Sequence, residues 1–514
     1  MTGYITLRFR LSMINFLAVF FTSLLYTHQL NAEQLLSLED AINIALEQGY
    51  LMKSIRLGLV QAEENRLAAK YRFRTNADMT FNAPAWEERV MSIQVPNALP
   101  VYNSLGTMRV QGLLNINQPL PTDGTLTLRS RLYQSKESNY FAETDNTLKR
   151  KDFVTSMSLW FNQPLFTFNR LKTGLKRAEL NYENSLLSFQ RTQLDVIYNV
   201  TQSFYGLYRQ TRIYEINHET MEQMEKTYDL AKLKYEAGLI PEVEALQMEV
   251  DLADARASFY AAESDLERQK DDFKQTLGLK LSDDVGIKTD ISYKHFTIDT
   301  DKAIEEGLKN RYEIRENEID IELRRIAVME SNARNEIRAD LSAYYDFTGR
   351  SDPALPYNSG TQDLFDSSWD DLERRPANRG VSLILTLPVW DWGVNKAEVA
   401  SARANLQRAE IDLEEQKKSI ENSIRDVVRS VRSSESRLEV LTKSQDVAQR
   451  TYNISLERFN NGEITSLELS LDNNRLSSSK LAFLNAYIAY KLAVSDLKRK
   501  TFWDFENNRP LLDL

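Results

Sequence analysis

Residues 394–461 read VNKAEVASARANLQRAEIDLEEQKKSIENSIRDVVRSVRSSESRLEVLTKSQDVAQRTYNISLERFNN, 68 positions without Gly or Pro. Ala, Leu, Glu, Arg and Lys fill most of this segment, and all five favour the α-helix. Apolar residues recur every seven positions along two lines, which is the pattern of a coiled coil. The first line comprises Val399, Leu406, Leu413, Ile420, Val427, Leu441 and Ala448, and the second Ala402, Ala409, Ile424, Val431, Leu438, Tyr452 and Phe459.

One helix of this length spans roughly 100 Å at about 1.5 Å per residue, which is longer than a globular domain needs. Gly462 follows it as a typical C-cap residue, and a further helical run continues over residues 467–499. The sequence therefore predicts a long antiparallel helix hairpin whose tip lies at Gly462.

The same arrangement occurs earlier in the chain. Pro164 and Gly238 bracket one long helix, and Pro388 and Gly462 bracket the other, with 388 − 164 and 462 − 238 both equal to 224. A second correspondence has an offset of 262, and it aligns Ala41 with Ala303, Leu46 with Leu308, and Tyr50 with Tyr312. The chain is therefore predicted to be an internal duplication. Its first half carries 262 − 224 = 38 extra residues before Pro164.

The N-terminus has the features of an export signal. Arg8 and Arg10 precede an apolar core over residues 11–25, and a cleavage site is expected after Ala32. The predicted domains are a signal peptide 1–32, a first repeat 33–278, a connector 279–300, a second repeat 301–500 and a C-terminal tail 501–514. No later segment approaches the roughly 18 apolar residues of a transmembrane helix. A membrane location would therefore require β-strands.

Composition excludes several kinds of chemistry. The chain of 514 residues has no Cys, which excludes disulfides, thiolate metal sites and a lipid-modified N-terminal Cys. The net charge of −10 argues against nucleic acid as a partner. Only His28, His218 and His295 are present, and they form no pair at helical metal-binding spacing. Neither a phosphate-binding loop nor a nucleophile elbow occurs. We therefore predict no enzyme, no catalytic residue, no metal and no cofactor.

Alternating segments between the helical runs predict β-strands. The clearest covers residues 340–349, where Leu341, Ala343, Tyr345 and Phe347 share one face. The other predicted strands cover residues 110–116, 125–133, 153–162 and 379–387. Residues 350–378 are predicted to be a long loop, and single helices are predicted from residue 37 to about 74 and from 301 to about 338. The alternation fits a transmembrane β-barrel, and a soluble sheet sandwich is the alternative.

Several of these segments resemble the TolC-like outer-membrane efflux and export proteins. The opening helix, the two hairpin tips and the strand-to-helix junction carry the resemblance through LSLEDA at 36–41, YEAGL at 235–239, VEALQ at 243–247, LPVWDWG at 387–393, FNNGE at 459–463 and LEL at 467–469. Each motif alone is common in coiled coils. Their order, spacing and repetition over almost the whole mature chain are specific.

The resemblance implies a mixed fold of coiled-coil α-helices and β-strands. Long antiparallel helix hairpins of a homotrimer would form an α-barrel in the periplasm. Each protomer would add four strands to one shared antiparallel transmembrane β-barrel. The sequence departs from this by showing five or six candidate strands, with the surplus in the 38-residue excess near residues 109–133, where an extra hairpin at the barrel base is one interpretation. The implied function is a passive outer-membrane conduit for efflux or type I secretion, opened by a periplasmic adaptor and an inner-membrane pump of RND or ABC type. The implied partners are these two proteins and outer-membrane lipid.

The tips contain the candidate functional residues. The expected adaptor-docking residues are Ala237, Gly238, Leu239, Asn461, Gly462 and Glu463. We expect φ > 0 at both Gly residues. Glu244 and Glu468 occupy equivalent places in the two repeats, since 468 − 244 = 224, and the family usually has Asp there. Three protomers would bring six such carboxylates to one aperture, and a ring of this kind favours cations. Asp472 would join it only if the helix is rotated by about 100°. Ile464 stands where some members carry Arg.

Two other functions are compatible with long coiled coils. One is a periplasmic or surface scaffold without a pore, in which Glu244 and Glu468 would be solvated helix residues. The other is a periplasmic adaptor, although adaptors usually carry one hairpin and compact β-domains. Fractionation of membranes distinguishes the conduit from both.

Overall fold

The computed structural model describes residues 34–94, 96–97, 99–288 and 293–511. The predicted signal peptide lies outside the described residues. The chain divides into two compact units, which we call the helical unit and the sheet unit. The helical unit comprises Met1–Gly58, Leu186–Arg315 and Glu414–Leu514, and the sheet unit Leu59–Ser185 and Glu316–Leu413.

The described helices are α1 (Leu38–Gln48), α2 (Tyr50–Tyr71), α3 (Arg170–Glu236), α4 (Glu242–Leu277), α5 (Thr300–Asn310), α6 (Tyr312–Ala333), α7 (Thr361–Arg374), α8 (Val394–Asn460) and α9 (Ser466–Thr501). Among them, none has both the length and the apolar character that a membrane-crossing helix needs. Helices α8 and α9 begin and end within two residues of their predicted bounds, 394–461 and 467–499. Helices α3 and α8 each have 67 residues, and α4 and α9 each have 36.

The described strands are β1 (Gln34–Leu36), β2 (Asn76–Ile93), β3 (Val101–Pro119), β4 (Thr125–Phe141), β5 (Asn146–Leu165), β6 (Val285–Ile287), β7 (Arg338–Arg350), β8 (Asn378–Thr386), β9 (Trp503–Asp504) and β10 (Arg509–Pro510). Six of them form one sheet in the order β2-β3-β4-β5-β7-β8, and every neighbouring pair is antiparallel. Strand β1 pairs with β6 in the helical unit, and β9 pairs with β10.

The register of the large sheet separates an apolar face from a polar face. One row across five strands contains Ala77, Ile116, Leu128, Leu159 and Tyr345. The next row contains Asp78, Asn115, Arg129, Ser158 and Asp346. Because successive side chains point to opposite faces, these two rows lie on opposite sides of the sheet. The alternation predicted for residues 340–349 and 379–387 is thus continued by the strands beside them.

Both predicted helices that open the repeats are broken, so the prediction of single helices was wrong. The first break lies at Gly49, whose ψ of 136° is extended. A Cβ there would lie 2.4 Å from the Ala45 carbonyl oxygen. The second break lies at Arg311, which is also extended, with ψ of 125°. Tyr312 then begins α6 and packs edge-to-face on Phe502 at 5.0 Å. These contacts fix a bend that helical periodicity alone does not reveal.

The predicted long loop over residues 350–378 contains α7, which corrects that prediction. Leu364, Ser368 and Leu372 are buried at successive turns of this helix. Ser368 shares a 2.8 Å hydrogen bond with Thr155 of β5. Gly349 of β7 has no room for a side chain, because a Cβ there would lie 2.0 Å from the Ser368 carbonyl oxygen. The Pro and Gly residues that flank α7 concealed its apolar spacing.

The sheet is also larger than predicted. Strand β2 was not predicted, and its register shifts between Asn82 and Ala85. Strands β3, β4 and β5 each extend well beyond the predicted segments. The structure therefore gives the protomer six strands in this sheet, where the resemblance implied four and the sequence indicated five or six.

Candidate functional site

The first hairpin tip is closed by a Schellman motif. The Leu239 N–H donates to the Lys234 carbonyl at 2.8 Å, and the Gly238 N–H donates to the Tyr235 carbonyl at 2.8 Å. These two bonds satisfy carbonyls at the end of α3 that would otherwise lack partners. Gly238 has φ +72°, which favours a residue without a Cβ.

The second tip has the same geometry. The Glu463 N–H donates to the Arg458 carbonyl at 2.9 Å, and the Gly462 N–H donates to the Phe459 carbonyl at 3.0 Å. Gly462 has φ +77°, so the predicted φ > 0 is confirmed at both glycines. A Cβ at either glycine would meet no heavy atom within 4 Å. A substitution there therefore strains the backbone and changes the exposed surface without a clash.

The two tips pack against each other within the helical unit. The Lys234 ammonium donates to the Phe459 carbonyl and lies 4.3 Å from the centre of its ring. Phe459 is almost fully buried, in a cluster with Ala231, Met248 and Leu469. Sequence reasoning missed Lys234, whose only signal was a cation four residues before Gly238.

A groove between the tips brings Glu244 and Glu468 together, and Lys234 also lines it. The Ser466 hydroxyl donates to the Glu244 carboxylate at 3.2 Å, while Glu468 is exposed. The remaining lining residues are Leu239, Ile240, Pro241, Phe459, Asn460, Asn461, Gly462, Glu463, Ile464 and Thr465. The equivalent positions of the two hairpins thus share one surface.

Asp472 lies away from this groove. Its carboxylate accepts a 2.6 Å hydrogen bond from the Ser455 hydroxyl and pairs with Arg475 at 3.2 Å. These partners hold it between α8 and α9.

The candidate docking residues are all exposed at the tips. They are Ala237, Gly238, Leu239, Asn461, Gly462 and Glu463. Leu239, a large apolar side chain, has 73% of its surface exposed. The tips therefore present a small, partly apolar surface.

A polar seam continues from the tips along α9. The Ser470 hydroxyl donates to Asp251 of α4 at 2.7 Å, and Ser477 shares a 3.0 Å hydrogen bond with Thr220 of α3. Asn473 is 2% exposed, and its Oδ1 atom has no hydrogen-bond partner among the described residues. Coiled-coil seams are normally apolar, so this segment departs from the pattern of α8.

Comparisons with known proteins point to one family. The family model described as outer membrane efflux protein matches residues 125–279 and 304–500. Among curated proteins, none matches the sequence.

Several solved structures have a similar fold. The CmeC outer membrane channel of Campylobacter jejuni is 15% identical with a TM-score of 0.66, over 90% of this chain and 85% of that one. The outer membrane protein VceC of Vibrio cholerae is 16% identical with a TM-score of 0.62, over 90% of this chain and 95% of that one. The MtrE outer membrane channel of Neisseria gonorrhoeae is 13% identical with a TM-score of 0.61, over 91% and 89%.

Proposed function

Since this chain belongs to the outer membrane efflux protein family, we propose that it is the exit duct of a tripartite efflux or type I secretion system. It is an outer-membrane efflux channel with its helices in the periplasm, and its family consists of channels rather than enzymes. In this proposal the duct is passive, and an inner-membrane pump of RND or ABC type supplies the energy. The two repeats, 33–278 and 301–500, are joined by the connector 279–300.

The observation that carries this proposal is a sheet with two open edges. Strands β2 and β8 lie at the edges, and each pairs with only one described strand. One face of the sheet is apolar, which suits lipid. An open strand edge in lipid leaves backbone groups without hydrogen bonds, so the sheet must close on itself or on copies. Because β2 and β8 run in opposite directions, the β8 of one protomer can pair antiparallel with the β2 of the next.

Exposed apolar stripes on the helices also support assembly of several copies of the chain. Val440, Val447 and Ile454 follow a seven-residue spacing along α8 and are 65%, 63% and 59% exposed. Val243 and Leu246 form a second exposed stripe on α4. Such stripes are the seams by which helices of neighbouring chains pack in a coiled coil. A homotrimer buries both the stripes and the strand edges.

The tips are the proposed docking surface for the periplasmic adaptor. Leucine at Gly238 and Gly462 would enlarge the exposed turn without a clash. We expect these variants to lose efflux while they retain outer-membrane trimers. Gly174→Leu, in an open position of α3, is the matched control and should keep efflux. Loss of trimers in the tip variants would instead mean that these glycines are needed for folding and not for docking.

Glu244 and Glu468 are proposed to line the aperture. Three protomers bring six carboxylates to one constriction, where like charges crowd and cations are attracted. Replacing both with Gln should weaken cation selectivity in planar bilayers and relieve block by divalent and trivalent cations. Asp472→Asn is the control, because its carboxylate is engaged by Ser455 and Arg475. Unchanged selectivity in the double variant would mean that both residues are solvated helix residues without a role in the aperture.

Fractionation tests the proposal as a whole. The mature protein should start near Glu33 and sediment with outer membranes. On gels it should migrate as a trimer that dissociates only on heating. Recovery of the protein in the soluble periplasm without detergent would overturn the proposal of a duct and favour a coiled-coil scaffold.

A further inference from the structure

The β3–β4 hairpin has no counterpart in the second half of the chain. The starts of α5 and α1 differ by 300 − 38 = 262, and those of β7 and β2 by 338 − 76 = 262. The starts of α8 and α3 differ by 394 − 170 = 224, and β8 and β5 precede these two helices. By position, β2 thus corresponds to β7, and β5 to β8. Between β7 and β8 the chain forms α7, whereas between β2 and β5 it forms two further strands.

These two strands are integral to the sheet. Strand β3 pairs with β2 from Val101 to Asn117, and β4 pairs with β5 along its whole length. Their side chains keep the alternation of the neighbouring strands: Ile116 and Leu128 lie in the apolar row, and Asn115 and Arg129 in the polar row. The hairpin is therefore part of the same layer as the other four strands.

The polar face of the hairpin is unsuited to lipid. Arg129 donates to Asn115 at 3.0 Å. Arg109 and Arg131 lie over the Tyr133 ring at 5.1 and 5.9 Å. All three arginines belong to polar-face rows. Charged side chains on the lipid face destabilise a barrel, while those on the inner face contact water. The hairpin therefore presents its arginines to the lumen.

We infer that β3–β4 is an inserted pair of barrel strands that widens the barrel and admits bulkier polar solutes into its lumen than a four-strand protomer would allow. This inference rests on the proposed trimer. Six strands from each of three protomers give an eighteen-stranded barrel instead of a twelve-stranded one. Since barrel diameter grows roughly linearly with strand number, the diameter increases about 1.5-fold. Barrels of this size enclose an open aqueous channel.

A deletion variant tests the width of the barrel lumen. Deleting residues 94–142 leaves Glu143, Thr144 and Asp145 to connect Ile93 with Asn146. Ile93 and Asn146 both lie on the polar face of the sheet. In the shortened protomer, every remaining side chain should therefore stay on the side of the sheet that it occupies in the full chain. Polyethylene glycols of graded size are added to the outer side of a planar bilayer, from which they enter the barrel before the tips. We expect the full chain to admit polymers of about 1.5-fold larger radius than the variant. Equal size limits would overturn the inference.

Spin labels test the insertion without any deletion. The chain has no Cys, so single cysteines can be placed at Ile116 and Leu128, with Asn115 and Thr127 as matched neighbours on the other face. In bilayers, labels at the first pair should be relaxed by oxygen, and labels at the second pair by a water-soluble nickel chelate. If trimers form and all four labels respond as water-exposed sites, the hairpin is not in the barrel. If no outer-membrane trimer forms, the proposed function itself fails.

Discussion

The two halves of helix α9 are held by different chemistry. In the tip-side half, residues 466–481, three of the five buried residues are polar, and the five are Ser466, Leu469, Ser470, Asn473 and Leu476. In the distal half, residues 482–501, the buried residues are almost all apolar and belong to the largest cluster of the helical unit. They include Leu484, Tyr487, Ile488, Tyr490, Val494 and Leu497. One continuous helix thus has a polar seam at one end and an apolar core at the other.

This difference affects how easily each half separates from its neighbours. A hydrogen bond between a hydroxyl and a charged carboxylate is exchanged for bonds to water at a net cost of about 1.5–3 kcal/mol. Separating apolar surfaces costs about 25 cal/mol for each Å² exposed to water. The tip-side half has only Leu469 and Leu476 in an apolar cluster with its neighbours. It should therefore separate from α4 at a lower cost than the distal half, which stays packed. If the proposed duct opens at its tips, this arrangement would confine the movement to the tips.

The largest expected effect is in the distal half. Leu497 is fully buried in the apolar cluster. Leu497→Ala should destabilise the protein by about 2–5 kcal/mol, because it removes buried methyl groups and leaves a cavity. The measurement is the thermal unfolding midpoint of the purified protein. Leu471→Ala is the control, because Leu471 is 58% exposed. A variant that melts like the parent would show that the distal half is not a rigid core.

The next effect is a gain of stability in the tip-side half. The Asn473 side chain is buried, with one oxygen lacking a partner among the described residues. Such an atom costs about 1–3 kcal/mol, so Asn473→Leu should raise the unfolding midpoint. If the polar seam serves opening, the same variant should reduce efflux. Asn474→Leu, at the exposed neighbour, should change neither property. A stabilised variant with full efflux would show that the polarity of the seam is not required for opening.

A smaller effect depends on pH and concerns the ion pair between Arg311 and Glu313 at the start of α6. Burial raises the pKa of the Glu313 carboxyl, but its hydrogen bonds and charge interaction with Arg311 together lower it below the ordinary 4.5. A lowered pKa in the folded state stabilises the protein above the unfolded pKa, and this contribution is lost as pH falls through the folded value. Glu313→Gln should therefore reduce the drop of the unfolding midpoint below about pH 4.5. An unchanged pH profile would contradict this role.

The sequence predicted the long helices better than the sheet. Seven-residue spacing and Gly462 determine α8 and its tip locally, so their bounds followed from the residues alone. The pairing of β2 with β3 depends on contacts between distant residues, and the Asn82–Ala85 register shift interrupts its alternation. At the candidate site, the offset of 224 placed Glu244 and Glu468 at equivalent positions. It did not reveal Lys234, because contact between the two tips depends on the packing of four helices.

The smallest expected effect is the loss of one seam hydrogen bond. Ser470→Ala removes the 2.7 Å bond to Asp251, whose carboxylate can then be solvated. We expect a loss of about 1.5 kcal/mol in the free energy of unfolding, at the lower end for a bond to a charged group, because Asp251 is only partly buried. If this bond holds the tips closed, Ser470→Ala should also raise the frequency of channel openings in planar bilayers. Ser478→Ala, at an exposed position two turns further along α9, is the matched control. A loss comparable to that of Leu497→Ala would mean that the tip-side half is as firmly packed as the distal half, and the contrast between them would fail.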